Sequence, residues 1–100
     1  MTDAIHPEDN IKSLFIVGRR WFARLYGNTY HKTYITINGQ SVESEETYGY
    51  GDQYLQTAHE LLQGMGLFVQ FKYHEFTHWM YEHKEICAYD VSDVAREKDL

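Results

Sequence analysis

The pair Asn38-Gly39 constrains this chain more than any other feature. It follows Thr29 to Ile37, a run rich in Thr, Tyr and Ile, and it is the dipeptide best suited to a two-residue type I′ turn. A turn closing there sets Ile37 opposite Gln40, Ile35 opposite Val42 and Lys32 opposite Glu45. The first two pairs share one face of the ladder and the charge pair lies on the other. Ile35, Ile37 and Val42 then need a cover, while Tyr30, Tyr34 and Thr36 look outward.

The cover is written just downstream. Tyr48-Gly49-Tyr50-Gly51-Asp52 supplies two glycines for turn geometry and Asp52 as a helix cap. Tyr54, Ala58, Leu61 and Met65, widened by Leu55 and Leu62, form one apolar stripe as far as Gln63, closed by Gly64-Met65-Gly66. Gln53, Gln56, His59, Glu60 and Gln63 are expected to face water.

Around this unit the remaining elements fall into order. Met1 to Asn10 reads as a flexible arm. Leu14 to Val17 has strand character, Gly18 marks a bulge, and Arg19 to Arg24 continues the strand. A helix over Trp21 to Tyr26 is the alternative, but Gly27-Asn28 signals a hairpin. Leu67 to Tyr73 reads as a strand or extended segment, and Glu75 to Lys84 as a second helix with Phe76, Trp79, Met80 and His83 on one side. Ile86 to Val91 is β-like, and Ser92-Asp93 is placed to cap a short helical turn through Arg96. The expected fold is one α+β domain over residues 11–100. A three- or four-stranded, mainly antiparallel sheet carries two helices packed on it.

Composition narrows the function classes. One hundred residues with 43% hydrophobic content make one domain with a thin core. Cys87 is the single cysteine, so no internal disulfide forms and a cytoplasmic setting is the default. The apolar runs are too short to span a bilayer, so no membrane partner is expected. The net charge of −6 conceals an asymmetry. Residues 10–42 hold Lys12, Arg19, Arg20, Arg24 and Lys32 and no acid. All fifteen acids lie elsewhere, beside four bases.

Two constellations carry possible chemistry. His74-Glu75-Phe76-Thr77-His78 has the spacing at which two helical histidines share a zinc ion while the glutamate activates water. His83, beside Glu82, is a candidate third ligand, but it misses the extended spacing by one residue and the intervening glycine is absent. With six histidines in the chain, an accidental match is the preferred reading: a surface helix with adventitious histidines. No cofactor is expected, and zinc is the one candidate. The other constellation is basic and aromatic: Arg19, Arg20, Trp21, Arg24, Tyr30, Lys32 and Tyr34, with Tyr26 and His31 among them. Arginine and exposed rings suit nucleic acid, and they are equally the favoured residues of protein interfaces. The competing reading makes Trp21 core and pairs the arginines with Glu43, Glu45 and Glu46. Cys87 lies in a strand-like run and reads as a buried thiol.

Two resemblances follow. Thr33-Tyr34-Ile35-Thr36-Ile37-Asn38-Gly39, a second strand, a Gly-x-Gly turn and an amphipathic helix resemble the strand-strand-helix half of double-stranded RNA-binding domains. Those domains hold phosphates with lysines at the start of that helix, where this chain has Asp52, Gln53 and Gln56. Over most of its length the chain also looks like small uncharacterised proteins of tailed bacteriophages. The segments that carry this likeness are Arg20-Trp21-Phe22, Gly27-Asn28-Thr29-Tyr30-His31, Tyr48-Gly49-Tyr50-Gly51-Asp52-Gln53-Tyr54 and Val91-Ser92-Asp93-Val94-Ala95-Arg96-Glu97-Lys98-Asp99-Leu100. That resemblance implies a phage context and no reaction; with the basic aromatic surface, the expected role is a phage accessory protein without enzymatic activity. Such a protein binds a host macromolecule, a host protein first, in the host cytoplasm, and inhibits a defence or regulatory complex. Nucleic-acid binding by the same surface is the alternative, and a small zinc hydrolase using His74, Glu75 and His78 the third reading.

Overall fold

A computed structural model describes residues 7–100. In order, the strands and helices are β1 (Leu14–Ala23), β2 (Asn28–Ile37), β3 (Gln40–Glu43), β4 (Thr47–Tyr48), α1 (Gln53–Gly64), α2 (Tyr73–Glu82) and β5 (Cys87–Val94). Short 3₁₀ turns at Pro7–Asn10 and Glu97–Asp99 flank them. The fold is α+β: a mixed sheet in the order β3-β2-β1-β5, with β4 also on β2, and both helices against it.

The hairpin of β2 and β3 forms as its turn residues require. Asn38 and Gly39 take φ of 50° and 83°, the pair of positive values that a type I′ turn needs. Ile37 faces Gln40 and Ile35 faces Val42. Asn38 does more than turn the chain. Its Oδ1 accepts from the Lys12 and Ser13 amides at 2.6 and 3.2 Å, and its Nδ2 donates to the Asn10 carbonyl. The turn thereby fixes the entry into β1.

Lys32 does not meet Glu45. The ladder stops at Tyr34–Glu43 and resumes at His31–Thr47 and Tyr30–Tyr48, offset by one residue. The extra residue is a bulge between β3 and β4. There Ser44 takes over the pairing: its Oγ accepts from the Thr33 amide and its own amide donates to the Thr33 carbonyl. Lys32 pairs with Glu43 instead, Nζ to Oε2 at 3.6 Å.

Gly18 is no bulge. It lies in unbroken register between Thr33 and Val91, and its missing side chain makes room for α1. A Cβ there would sit 2.5 Å from Cγ of Tyr54, closer than carbon atoms pack. The β1–β2 connection is a four-residue loop, Arg24 to Gly27, whose Gly27 has φ of 70°. β1 remains a strand throughout, so the helical alternative for Trp21 to Tyr26 does not form.

The core lies between the sheet and the helices. Leu14, Ile16, Ile35 and Ile37 meet Tyr54, Leu55, Ala58 and Leu62 of α1, with Phe76 and Met80 of α2 closing the end. A twelve-residue helix is marginal alone, and burial of such side chains, worth roughly 1.5–3 kcal/mol each, holds it. The buried stripe of α1 is rotated from the expected one. Met65 is exposed, whereas His59 is buried, stacked on Phe76 at 4.9 Å, because α2 packs on that side of α1. Asp52 makes no side-chain cap; its carbonyl accepts from the Leu55 amide instead.

Residues 67–72 form no strand. Phe68 is fully buried with φ of 55°, a left-handed value costly for an aromatic residue. Its amide donates to the buried Glu8 carboxylate at 2.8 Å, and its ring meets Phe71, Phe76 and Trp79 edge-on near 5 Å. The arm expected over residues 1–10 lies outside the described residues for 1–6. The 3₁₀ turn that follows is packed through Glu8 and precedes the buried Ile11. At the other end, Ser92 and Asp93 belong to β5 and the helical turn falls later, at Glu97–Asp99.

Candidate functional site: the uncovered face of the sheet

Alternation sorts the basic and aromatic residues between two faces. On β1 the even positions Leu14 and Ile16 point to the helices. The odd ones, Phe15, Val17, Arg19 and Trp21, point to the opposite face. On β2 that face receives Tyr30, Lys32, Tyr34 and Thr36, each directly across from a β1 residue. Neither helix lies there.

Trp21 stands at one end of this face, stacked on Tyr30 at 6.1 Å, and Tyr48 meets Tyr30 edge-on at 5.7 Å. Trp21 and Tyr30 are half-buried by one another, while Tyr48 is 60% exposed. Further along, Phe15 and Val17 are 46% and 43% exposed, unusual for strand-borne apolar side chains in a sheet's middle. Beyond Trp21 the β1–β2 loop carries Leu25 and Tyr26, 84% and 74% exposed, beside the exposed Arg24.

Two of the cations on this face are engaged. Arg19 lies over the Tyr34 ring at 5.1 Å and its Nη1 donates to the Asp99 carbonyl at 3.3 Å. Lys32 is held by Glu43. Acids share the surface: Asp90 is across from Val17. Glu46 has its pKa raised above the ordinary carboxylate value by partial desolvation and then by Glu97 nearby, with Lys32 acting in the opposite sense.

Arg20 does not belong to this group. It sits on the helix side of β1, half-buried, with Nε donating to Asp93 Oδ1 at 2.7 Å and Nη1 to the Gly51 carbonyl at 3.1 Å. There it ties β5 and the entry of α1 to β1, at the floor of a cleft of about 360 Å³ that Phe22, Thr29 and Tyr50 also line. His31 is buried on the same side. Its Nδ1 bonds to the Gly49 carbonyl, which can only accept, so Nδ1 carries the proton and Nε2 accepts from the Thr57 hydroxyl at 2.6 Å. It is a structural histidine.

The His-Glu-x-x-His run lies on α2, as its spacing predicts. Glu75, the would-be base, accepts the Lys72 amide at 2.7 Å and closes the first turn of the helix. His78 lies 3.4 Å from Glu82. His83 turns back onto α2, its Nδ1 bonded to the Trp79 carbonyl and its ring stacked on Trp79 at 4.0 Å. His74 and His78 remain exposed. Among the described residues, no three His, Cys, Asp or Glu side chains come together as a metal-ligand set. Cys87 is half-buried, and burial, followed by Glu85, pushes its thiol up to about 11, so at neutral pH it is protonated rather than a nucleophile.

The basic and aromatic pattern does not single out Phe15, Val17, Leu25 or Tyr48. The signal for Phe15 and Val17 was present: they share the odd parity of Arg19 and Trp21 along one strand. Among the described residues no helix is long and apolar enough to cross a membrane. In comparison with known proteins, the chain matches no family model, no curated protein and no solved structure.

Proposed function

We propose that this protein is a non-enzymatic binding module that docks a protein partner on the uncovered face of its sheet. In the phage setting implied by the resemblance above, that partner is a host protein, and occupying it is how the module acts. The observation carrying this reading is the row of Phe15, Val17, Trp21, Tyr30 and Tyr48 on a face that neither α1 nor α2 covers. Trp, Tyr and Arg are the residue types that dominate binding energy in protein interfaces, above all when clustered.

The charges favour protein over nucleic acid. Phosphate binding requires free cations in a row. Here Arg19 and Lys32 already have partners, Arg20 lies on the other side of the sheet, and Asp90 shares the face. Polar groups of this kind suit an interface rim, with the apolar row as its centre.

The test is reconstitution. A partner captured from host lysate is purified and titrated calorimetrically against wild type and Trp21→Ala. Losing a hot-spot tryptophan should weaken binding by at least about thirtyfold, equivalent to about 2 kcal/mol, with the fold intact by circular dichroism. Equal affinity of the two proteins rejects the surface. Binding to mixed oligonucleotides that falls steeply with salt, and no protein partner, transfers the face to nucleic acid.

A further inference from the structure

The sheet has two unlike edges. On one side β3 and β4 are short, separated by the bulge, and bordered by Glu43, Glu45 and Glu46; a broken, charged edge of this kind resists pairing with another chain. On the other side β5 runs unbroken for eight residues and, among the described residues, pairs with β1 alone.

The direction of its backbone groups follows from one bond. The Leu14 amide donates to the Ile86 carbonyl at 2.9 Å, so the even-numbered residues of β5 turn their backbone groups to β1. Cys87, Tyr89, Val91 and Asp93 therefore turn theirs outward. The outward Val91 amide shows this directly: it donates to the carboxylate of the neighbouring Asp90 at 2.8 Å. No other described group bonds the outward amides and carbonyls of this edge. Along the strand itself the charges are acidic, although Asp93 is already paired with Arg20 of β1. Glu85, Asp90 and Asp93 are exposed, and no lysine or arginine occurs between residues 85 and 95.

The geometry points to β5 as an acceptor edge for an extended, lysine- or arginine-rich segment of a partner protein, added as a further strand. Asp90 acts as the latch. In the free protein it occupies the Val91 amide, and on binding it releases that donor to the incoming backbone and pairs with an incoming cation. A second copy is a poor occupant, since two acidic strands would lie about 4.8 Å apart with like charges opposed. This edge borders the aromatic face, which Asp90 shares, but the backbone groups it offers lie in the plane of the sheet and do not require that face.

The probe is an end-capped eight-residue peptide alternating threonine and lysine, matched to the length of β5. It is added to the full chain and followed by amide NMR and hydrogen exchange. The expected result is saturable binding that slows exchange at Tyr89, Val91 and Asp93 at least about tenfold. A peptide with glutamate for lysine, and one N-methylated at alternate residues, should not bind. Asp90→Asn should weaken binding about tenfold through loss of the charged contact. Tyr89→Pro removes an outward amide without touching the β1 ladder and should abolish binding, whereas Tyr89→Ala should retain it. Trp21→Ala should leave peptide affinity unchanged, which separates this edge from the aromatic face. Amides already protected in the free protein, by residues 1–6 or a second copy, overturn the proposal. So does binding that survives N-methylation of the peptide or is lost in Trp21→Ala.

Discussion

A methyl group on Gly18 would collide with Cβ, Cγ and Cδ2 of Tyr54, a buried ring with no room to retreat. Gly18→Ala should therefore cost about 1–3 kcal/mol in urea unfolding, the usual range for an overpacked core. In a Tyr54→Ala background, which removes the colliding Cγ and Cδ2, the added cost of Gly18→Ala should shrink. From sequence alone Gly18 reads as a bulge, because an isolated glycine in a strand signals either a kink or a close approach and only the opposing residue tells which. Arg20 and Arg19 are neighbours with identical chemistry, yet one is an internal tie and the other lies on the aromatic face. Parity along β1 was enough to separate them; what sequence did not supply was Asp93, brought beside Arg20 by a strand pairing from the far end of the chain. His59 was misplaced for a similar reason. Its burial is decided by α2, not by the helix that carries it.

Among the elements, the β2–β3 hairpin was fully legible because its turn chemistry is local. The ladder beyond Glu43 was not, since a bulge depends on side chains such as Ser44 that compete for the backbone. The helix α2 was found within two residues of its bounds, but the meaning of its acid differed. Glu75 stands in a motif that suggests a general base, and in the fold it caps the helix. Glu75→Ala should lower stability by about 1 kcal/mol. Glu75→Gln, which keeps an acceptor, should retain most of it, as thermal melts of the two variants will show. A catalytic glutamate would behave otherwise, with stability untouched and an activity lost in both.

At the scale of the whole molecule, ionisation of the core sets an upper limit in pH. Burial, then Asp52, Tyr89, Asp90 and Tyr73 in turn, push the Tyr54 hydroxyl up to about 12 from its ordinary value of 10. An acid whose pKa is raised by folding contributes stability that is complete below its unfolded value and lost as pH rises through the folded one. Stability should thus decline between pH 10 and 12. Tyr54→Phe should flatten that decline in chemical denaturation, and an ultraviolet titration should show a late-ionising tyrosine. The α+β layering, with one sheet face under helices and the other uncovered, followed from alternation and amphipathic pattern. The position of β5 did not, because parallel pairing of residues 14 and 87 leaves no local mark. That pairing also orders events during synthesis. While β1 and β2 have already zipped together, the other flank of β1 must wait for Cys87–Val94 to emerge. A nascent chain stalled before Cys87 exposes its central strand to any neighbour, and β5 is the strand that ends this exposure.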